Sequence, residues 1–280
     1  MCVSNKRGSV VTSRIAAKFG AILSVVVLWP CAVSAGAWPQ PKDHLLIIVP
    51  FTLTGASEEY DAEGKTQRRN RFSKRELSPY AEYGFSKNIT FVSTFALTHE
   101  RTSWLGTKLS QRGLSRVEAG ARFAIGKWED TYYSFQPLLI WHGAMGSSAD
   151  PVASQRGDID GEFGLTMGRH FKWLGLDGFS DNLVAIRVRP ANRPSELKAN
   201  LTLGVSLNKD RQVMLKSESY ATFSKGAGAA ASQIQSNKLG LSFVQRLDKT
   251  VTMEVNYSQS LTGRNTIKQT STGFALWYNF

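Results

Sequence analysis

Sulfur chemistry is almost missing from this 280-residue sequence: there are only two cysteines, Cys2 and Cys31, both close to its start. A disulfide framework or a cysteine-ligated metal across the body of the protein is thereby excluded. Histidine is nearly as scarce, with only His44, His99, His142 and His170. No phosphate-cradling glycine loop, metal-ligand cluster or spaced pair of catalytic carboxylates stands out. After Gly36 no apolar run approaches the ~20 residues that a membrane helix needs, and helix-period patterns with caps are hard to find.

The start of the chain has a different character. Lys6, Arg7, Arg14 and Lys18 occur without an acid, the apolar run from Phe19 to Trp29 follows, and Val33-Ser34-Ala35 supplies small residues. That order reads as a signal peptide over residues 1–35, with Gly36 as the first mature residue. Removing it takes away both cysteines and four positive charges, so the formal charge falls from +12 to +8. Cys31 read as a lipoprotein cysteine fits less well, because bulky Trp29 and Pro30 precede it.

What fills residues 36–280 is alternation. Thr272, Phe274, Leu276, Tyr278 and Phe280 share one face, with Gly273, Ala275, Trp277 and Asn279 on the other. Val251, Met253, Val255 and Tyr257 alternate with Thr252, Glu254, Asn256 and Ser258, and Leu197 through Leu207 alternate with Lys198, Asn200, Thr202, Gly204 and Ser206. Ile159, Phe163, Leu165 and Met167 stand against Asp158, Asp160, Glu162 and Thr166, while Val117 through Ile125 stand against Arg116, Glu118 and Arg122. A period of two means a strand between two environments. Segments of about ten residues or more are twice the usual soluble strand and match a tilted membrane strand.

The connections sort into two kinds. Short ones fall near Ser86-Lys87-Asn88, Lys127 to Thr131, Asn208 to Arg211 and Asp248-Lys249-Thr250, with a longer one around Gly175 to Asn182. Long polar ones are expected at Gly55 to Lys74, Glu100 to Gly113, Ala144 to Gly157, Ala191 to Glu196, Lys225 to Gln233 and Gly263 to Thr266. About twelve strands lie between these breaks, an even number, which puts both chain ends on one side with the short, periplasmic turns. The expected fold is all-β, a transmembrane antiparallel up-and-down barrel. A soluble sandwich or lipocalin-like barrel also alternates, but its apolar face points inward. Here one face carries mixed charges and the other is aliphatic and aromatic, as lipid outside and water inside require. Trp104, Trp128, Tyr132, Tyr133, Trp141, Trp173, Trp277 and Tyr278 lie close to strand ends, where an interfacial girdle belongs.

Three stretches carry a family resemblance: Gly36-Ala37-Trp38-Pro39-Gln40-Pro41, then Tyr60-Asp61-Ala62-Glu63-Gly64, then Phe72-Ser73-Lys74-Arg75-Glu76-Leu77-Ser78-Pro79-Tyr80. They resemble the XagA-like family of exported bacterial barrel proteins over about the first third of the mature chain, and the segment from Arg187 to Pro194 is also similar. The resemblance implies an outer-membrane barrel and brings no catalytic or binding residues with it. The terminal strand, with Phe274, Leu276, Tyr278 and Phe280, resembles the signal by which the barrel-assembly machinery recognises outer-membrane proteins after periplasmic chaperones deliver them.

The functional expectation is a passive channel or facilitator for a small solute, set in outer-membrane lipid and lipopolysaccharide, with no cofactor and no nucleic-acid partner. Its lumen charges are expected to be Asp158, Asp160, Glu162, Arg187, Arg189, Lys198 and Arg246, which either set selectivity or pair and close the bore. Lys65, Arg68, Arg69, Arg71, Lys74 and Arg75 form a basic loop that could hold lipopolysaccharide phosphates or anionic solutes. A closed barrel using that loop for surface contacts is the second reading. An outer-membrane lipid hydrolase is the third. His142 with Ser147 and Ser148, or His99 with Glu100 and Ser103, are its only candidates, and the former lacks the His-x-Ser spacing of outer-membrane phospholipases. Without catalytic residues, the outer-rim histidines would be interface residues beside the girdle.

Overall fold

The computed structural model describes residues 36–104, 107–143, 157–189, 193–223 and 233–280. Residues 1–35 and the segments 105–106, 144–156, 190–192 and 224–232 lie outside the described residues. Ser147 and Ser148 and most of two long connections fall in those segments, and the Trp104 side chain is also outside the description.

Thirteen strands follow one another among the described residues: β1 (Leu45–Tyr60), β2 (Thr66–Leu77), β3 (Tyr80–Ser86), β4 (Ile89–Trp104), β5 (Thr107–Trp128), β6 (Thr131–His142), β7 (Ile159–Trp173), β8 (Leu176–Val188), β9 (Glu196–Ser206), β10 (Arg211–Thr222), β11 (Gln235–Arg246), β12 (Val251–Arg264) and β13 (Thr266–Asn279). Every pairing is antiparallel, and β13 returns to β1 from Leu46↔Asn279 to Tyr60↔Thr266, so the sheet closes without an edge. β2 and β3 are one stave. Their partners on β1 (Phe51↔Leu77, Ile48↔Tyr80) and on β4 (Leu77↔Leu97, Tyr80↔Thr94) continue in one register across Ser78-Pro79. The break reflects the donor that Pro79 lacks; Ser78 N still donates to Pro50 O at 3.2 Å. The barrel is therefore twelve-staved, as the spacing of the breaks predicts.

Alternation sorts side chains as expected. Phe163, Leu165, Leu197, Leu241, Val255 and Phe274 are exposed on the outer wall, and Asp160, Glu162, Arg122, Glu82 and Glu254 are buried inside. In water so continuous an exposed apolar surface would be costly; against lipid it is the stable arrangement. Trp128, Trp141 and Trp173 sit on the outer wall, as a girdle requires. Trp277 and Tyr132 do not. Trp277 is 5% exposed and packs inside with Leu46, Phe179, Met214, Val244 and Ala275, while the Tyr132 ring lies 6.5 Å from that of Trp38. At the terminal end, where Leu45 and Phe280 meet, apolar side chains thus fill the bore.

Several connections are tighter than the sequence suggests. β7 and β8 are joined by Leu174-Gly175 alone, both at positive φ (51° and 81°), the signature of a two-residue hairpin turn. The polar residues 176–182, read as turn, belong to β8. At the distal end β1 and β2 extend to a short turn at 61–65, β4 and β5 run to Trp104 and Thr107, and only Asn265 separates β12 from β13. These hairpins project with polar residues on both faces, which erases the alternation that marks a strand.

Candidate functional site: the lumen

One wall of the bore is a continuous chain of ion pairs. His142 Nε2 lies 2.9 Å from Asp160, Asp160 3.6 Å from Arg189, and Arg189 2.6 Å from Glu196. Glu196 is 3.8 Å from Arg187, Arg187 is 2.7 Å from Glu162, and Glu162 is 3.0 Å from Lys198. Strand alternation on β6, β7, β8 and β9 aims all of these inward. The three acids offset the two arginines and the lysine, so the wall neutralises itself and exposes little net field. Of the sequence-predicted lumen charges, Asp160, Glu162, Arg187, Arg189 and Lys198 are brought together. Asp158 pairs with Arg193 at 2.9 Å. Arg246 does not join them; it ends β11 at the terminal end, beside Asp210 and Thr252. His142 belongs to this network, which corrects its reading as an interface residue, and Glu196 was missed because it opens a strand next to a loop.

Residues 36–41 occupy the bore itself. Ala37 N donates to Asp181 Oδ1 at 3.0 Å, and Ala37 O accepts from Ser134 Oγ at 2.8 Å. Arg122 Nη1 donates to Trp38 O at 3.3 Å. Gln40 N donates to Thr90 Oγ1 at 2.9 Å and Gln40 Nε2 to Glu82 Oε2 at 2.6 Å. The Trp38 ring lies 4.8 Å from His170 and 6.3 Å, edge-on, from Phe179. Close approach requires small residues opposite: a Cβ on Gly168 would stand 2.8 Å from the Trp38 ring, and one on Gly84 would stand 1.9 Å from Pro41 O. Beneath the segment, Glu82 is fully buried, accepts from Arg122 Nη2 at 2.8 Å and holds the Tyr80 hydroxyl in a short hydrogen bond. Two prolines that remove backbone donors, Pro39 and Pro41 directly after Trp38, are the sequence signal for a segment docked outside the ladder.

The opposite wall is open. A cavity of about 270 Å³ lies against β1, β2 and β10 to β13, with Lys74, Glu76, Lys216, Glu218 and Lys238 among small polar residues such as Thr54, Ser242 and Ser271. Lys74 pairs with Glu76 at 3.1 Å, and Lys216 with Glu254 at 2.5 Å. These residues were not anticipated apart from Lys74, whose predicted place in a loop is corrected: it is on β2, facing inward. Arg68, Arg69, Arg71 and Arg75 are also on β2 and not in a loop, and only Lys65 is in the turn. Arg69 lies 3.5 Å from Glu59, whereas Arg71 and Arg75 are exposed on the outer face. Phe274, Leu276 and Tyr278 lie on the outward register of β13, and Phe280 closes the ring through its backbone pair with Leu45. Among the described residues no cluster of three or more histidines and carboxylates could hold a metal.

An edge-free antiparallel ring of twelve staves, apolar outside and charged within, defines the class: a bacterial outer-membrane-type β-barrel. Solved structures agree in fold. An outer-membrane channel from Pseudomonas putida F1 superposes with a TM-score of 0.65 at 10% identity, over 88% of this chain and 99% of that one. The translocator domain of the autotransporter NalP from Neisseria meningitidis gives 0.52 at 11% identity, over 86% and 90%. The NanC porin gives 0.50 at 10% identity, over 83% and 98%. No protein-family model matches the chain, and no curated protein matches it in sequence.

Proposed function

We propose that the protein is a passive channel of the bacterial outer membrane, carrying small hydrophilic solutes along the wall formed by β1, β2 and β10 to β13. The observation that carries this reading is the 270 Å³ cavity with its lysines and glutamates, opposite a wall that is paired and filled. Its cations and acids sit where a passing solute would exchange hydration for contacts with the wall. Two of the structures of like fold are described as a channel and a porin, which fits the same reading. The proposal includes membership of the XagA-like family, a leader removed after Ala35, delivery by periplasmic chaperones to the barrel-assembly machinery, and no catalytic step.

Single-channel recording in a planar bilayer tests it. The purified protein is expected to give discrete current steps, and neutralising Lys216 and Lys238 together is expected to shift the reversal potential in a salt gradient toward cation preference. A folded, heat-modifiable barrel that never conducts would support a closed surface protein instead. The docked segment 36–41 and the self-neutralised wall are the observations favouring that second reading.

A further inference from the structure

The outer face of β2, β4 and β5 changes character within a single row. Leu77, Leu97 and Leu114 are cross-strand neighbours and form the last apolar row of the band. The next outward row is Arg75, His99 and Arg112; the one after it is Ser73, Arg101 and Ser110. Arg71 on β2 and Lys108, opposite Ser103, continue it. Successive outward rows are separated by two residues, about 7 Å, so the charged region is about 14 Å high. Arg71, Arg75, Arg101, Lys108 and Arg112 are exposed, and no carboxylate among the described residues pairs with them. The polar contacts of the patch are internal: Arg101 Nε donates to His99 Nε2 at 3.3 Å, and Ser110 Oγ lies 3.1 Å from the same nitrogen.

We infer that this patch binds a phosphorylated glycolipid of the outer leaflet, its acyl chains against the leucine row and its phosphates held by Arg75, Arg101 and Arg112. Five unpaired cations on a flat sheet face call for a polyanion, and guanidinium groups suit phosphate oxygens through paired, charge-assisted hydrogen bonds. The adjoining leucines decide its kind. A soluble polyanion has no use for them, whereas a lipid anion fills both rows at once. The inference rests on the outer-membrane placement and not on conduction.

The test uses the full-length mature protein in detergent, titrated with a bisphosphorylated acyl-disaccharide, with its dephosphorylated form, and with an acidic phospholipid, read by native mass spectrometry. The bisphosphorylated lipid is expected to bind the wild type best. The R75Q/R101Q/R112Q variant is expected to lose affinity by roughly tenfold or more, the scale of losing at least one hydrogen bond to a charged group. A K209Q/K249Q control at the opposite end of the barrel is expected to bind as wild type does. Single R101Q, with its heat-modifiable mobility checked, guards against misfolding of the triple variant. Equal binding of the phosphorylated and dephosphorylated lipids, equal binding by triple variant and wild type, or stronger binding of the acidic phospholipid would overturn the inference. Each leaves conductance, and so the channel reading, untouched.

Discussion

Replacing Trp38 by alanine isolates what the docked segment does. The backbone bonds of Ala37, Trp38 and Gln40 to Asp181, Ser134, Arg122 and Thr90 survive, whereas the ring that meets His170, Phe179 and Tyr132 is lost. Truncating a fully buried tryptophan costs about 3 to 5 kcal/mol. Trp38 is half-buried, which scales the loss to about 2 kcal/mol, or roughly thirtyfold in the docked-to-undocked ratio. If the undocked state is about 1% populated in the wild type, it rises to about a quarter in the variant. W38A should then show a second, larger conductance state in single-channel records, and limited proteolysis should cut near residues 36–44 sooner, while the barrel's thermal midpoint hardly moves. G168V approaches the same state from the wall, since the added side chain meets the Trp38 ring and Ala37. Wild-type conductance and proteolysis in both variants would refute the reasoning that the segment restricts the bore.

Two further outcomes concern charge. E162Q removes the carboxylate shared by Arg187 and Lys198 deep in the wall; leaving Lys198 without its partner and Arg187 with Glu196 alone should cost about 3 kcal/mol, seen as a lower thermal midpoint, and should move the reversal potential toward anion preference. Asp248, in the turn between β11 and β12, accepts from Thr250 N at 2.7 Å and Val251 N at 2.8 Å, and the Thr250 and Val251 amides hold its carboxyl below the usual range. A depressed folded-state value stabilises above the ordinary carboxylate pKa of about 3.9 and is lost as pH falls through the lowered value. The midpoint gap between wild type and D248A should therefore be constant near neutrality and shrink only below about pH 4.

Much of the barrel was legible because lipid and water impose opposite demands on neighbouring residues. Leu197 through Leu207 against Lys198 and Asn200 needed no tertiary knowledge, and the even strand count followed from the turn residues. Legibility failed where one of those solvents is absent. Beyond the band, residues 55–60 and 66–75 lack the apolar outer face that lipid imposes, so strands resembled loops. Along 176–182, lumen-facing Asp181 and small neighbours imitated a turn. Trp277 was assigned to the girdle from its nearness to the chain end, although its parity with Gly273 and Ala275 already placed it opposite Tyr278. At the site, the ion-paired wall was visible as a set of charges but not as a connected chain, because pairing depends on which strands adjoin. The open wall was missed since Lys216, Glu218 and Lys238 are unremarkable members of separate strands until closure brings β10 and β11 round toward β1.

The docked segment also fixes an order of events. Its partners are spread over six consecutive staves, from Glu82 and Thr90 through Arg122, Ser134 and Gly168 to Asp181. Ala37 and Asp181 are separated by 144 residues, and no single hairpin offers more than a fraction of the binding surface. Closing so long a loop gains nothing until those six staves stand side by side. A nearly complete, empty ring therefore precedes the filled one, and residues 36–41, synthesised before every stave, are the last to find their place.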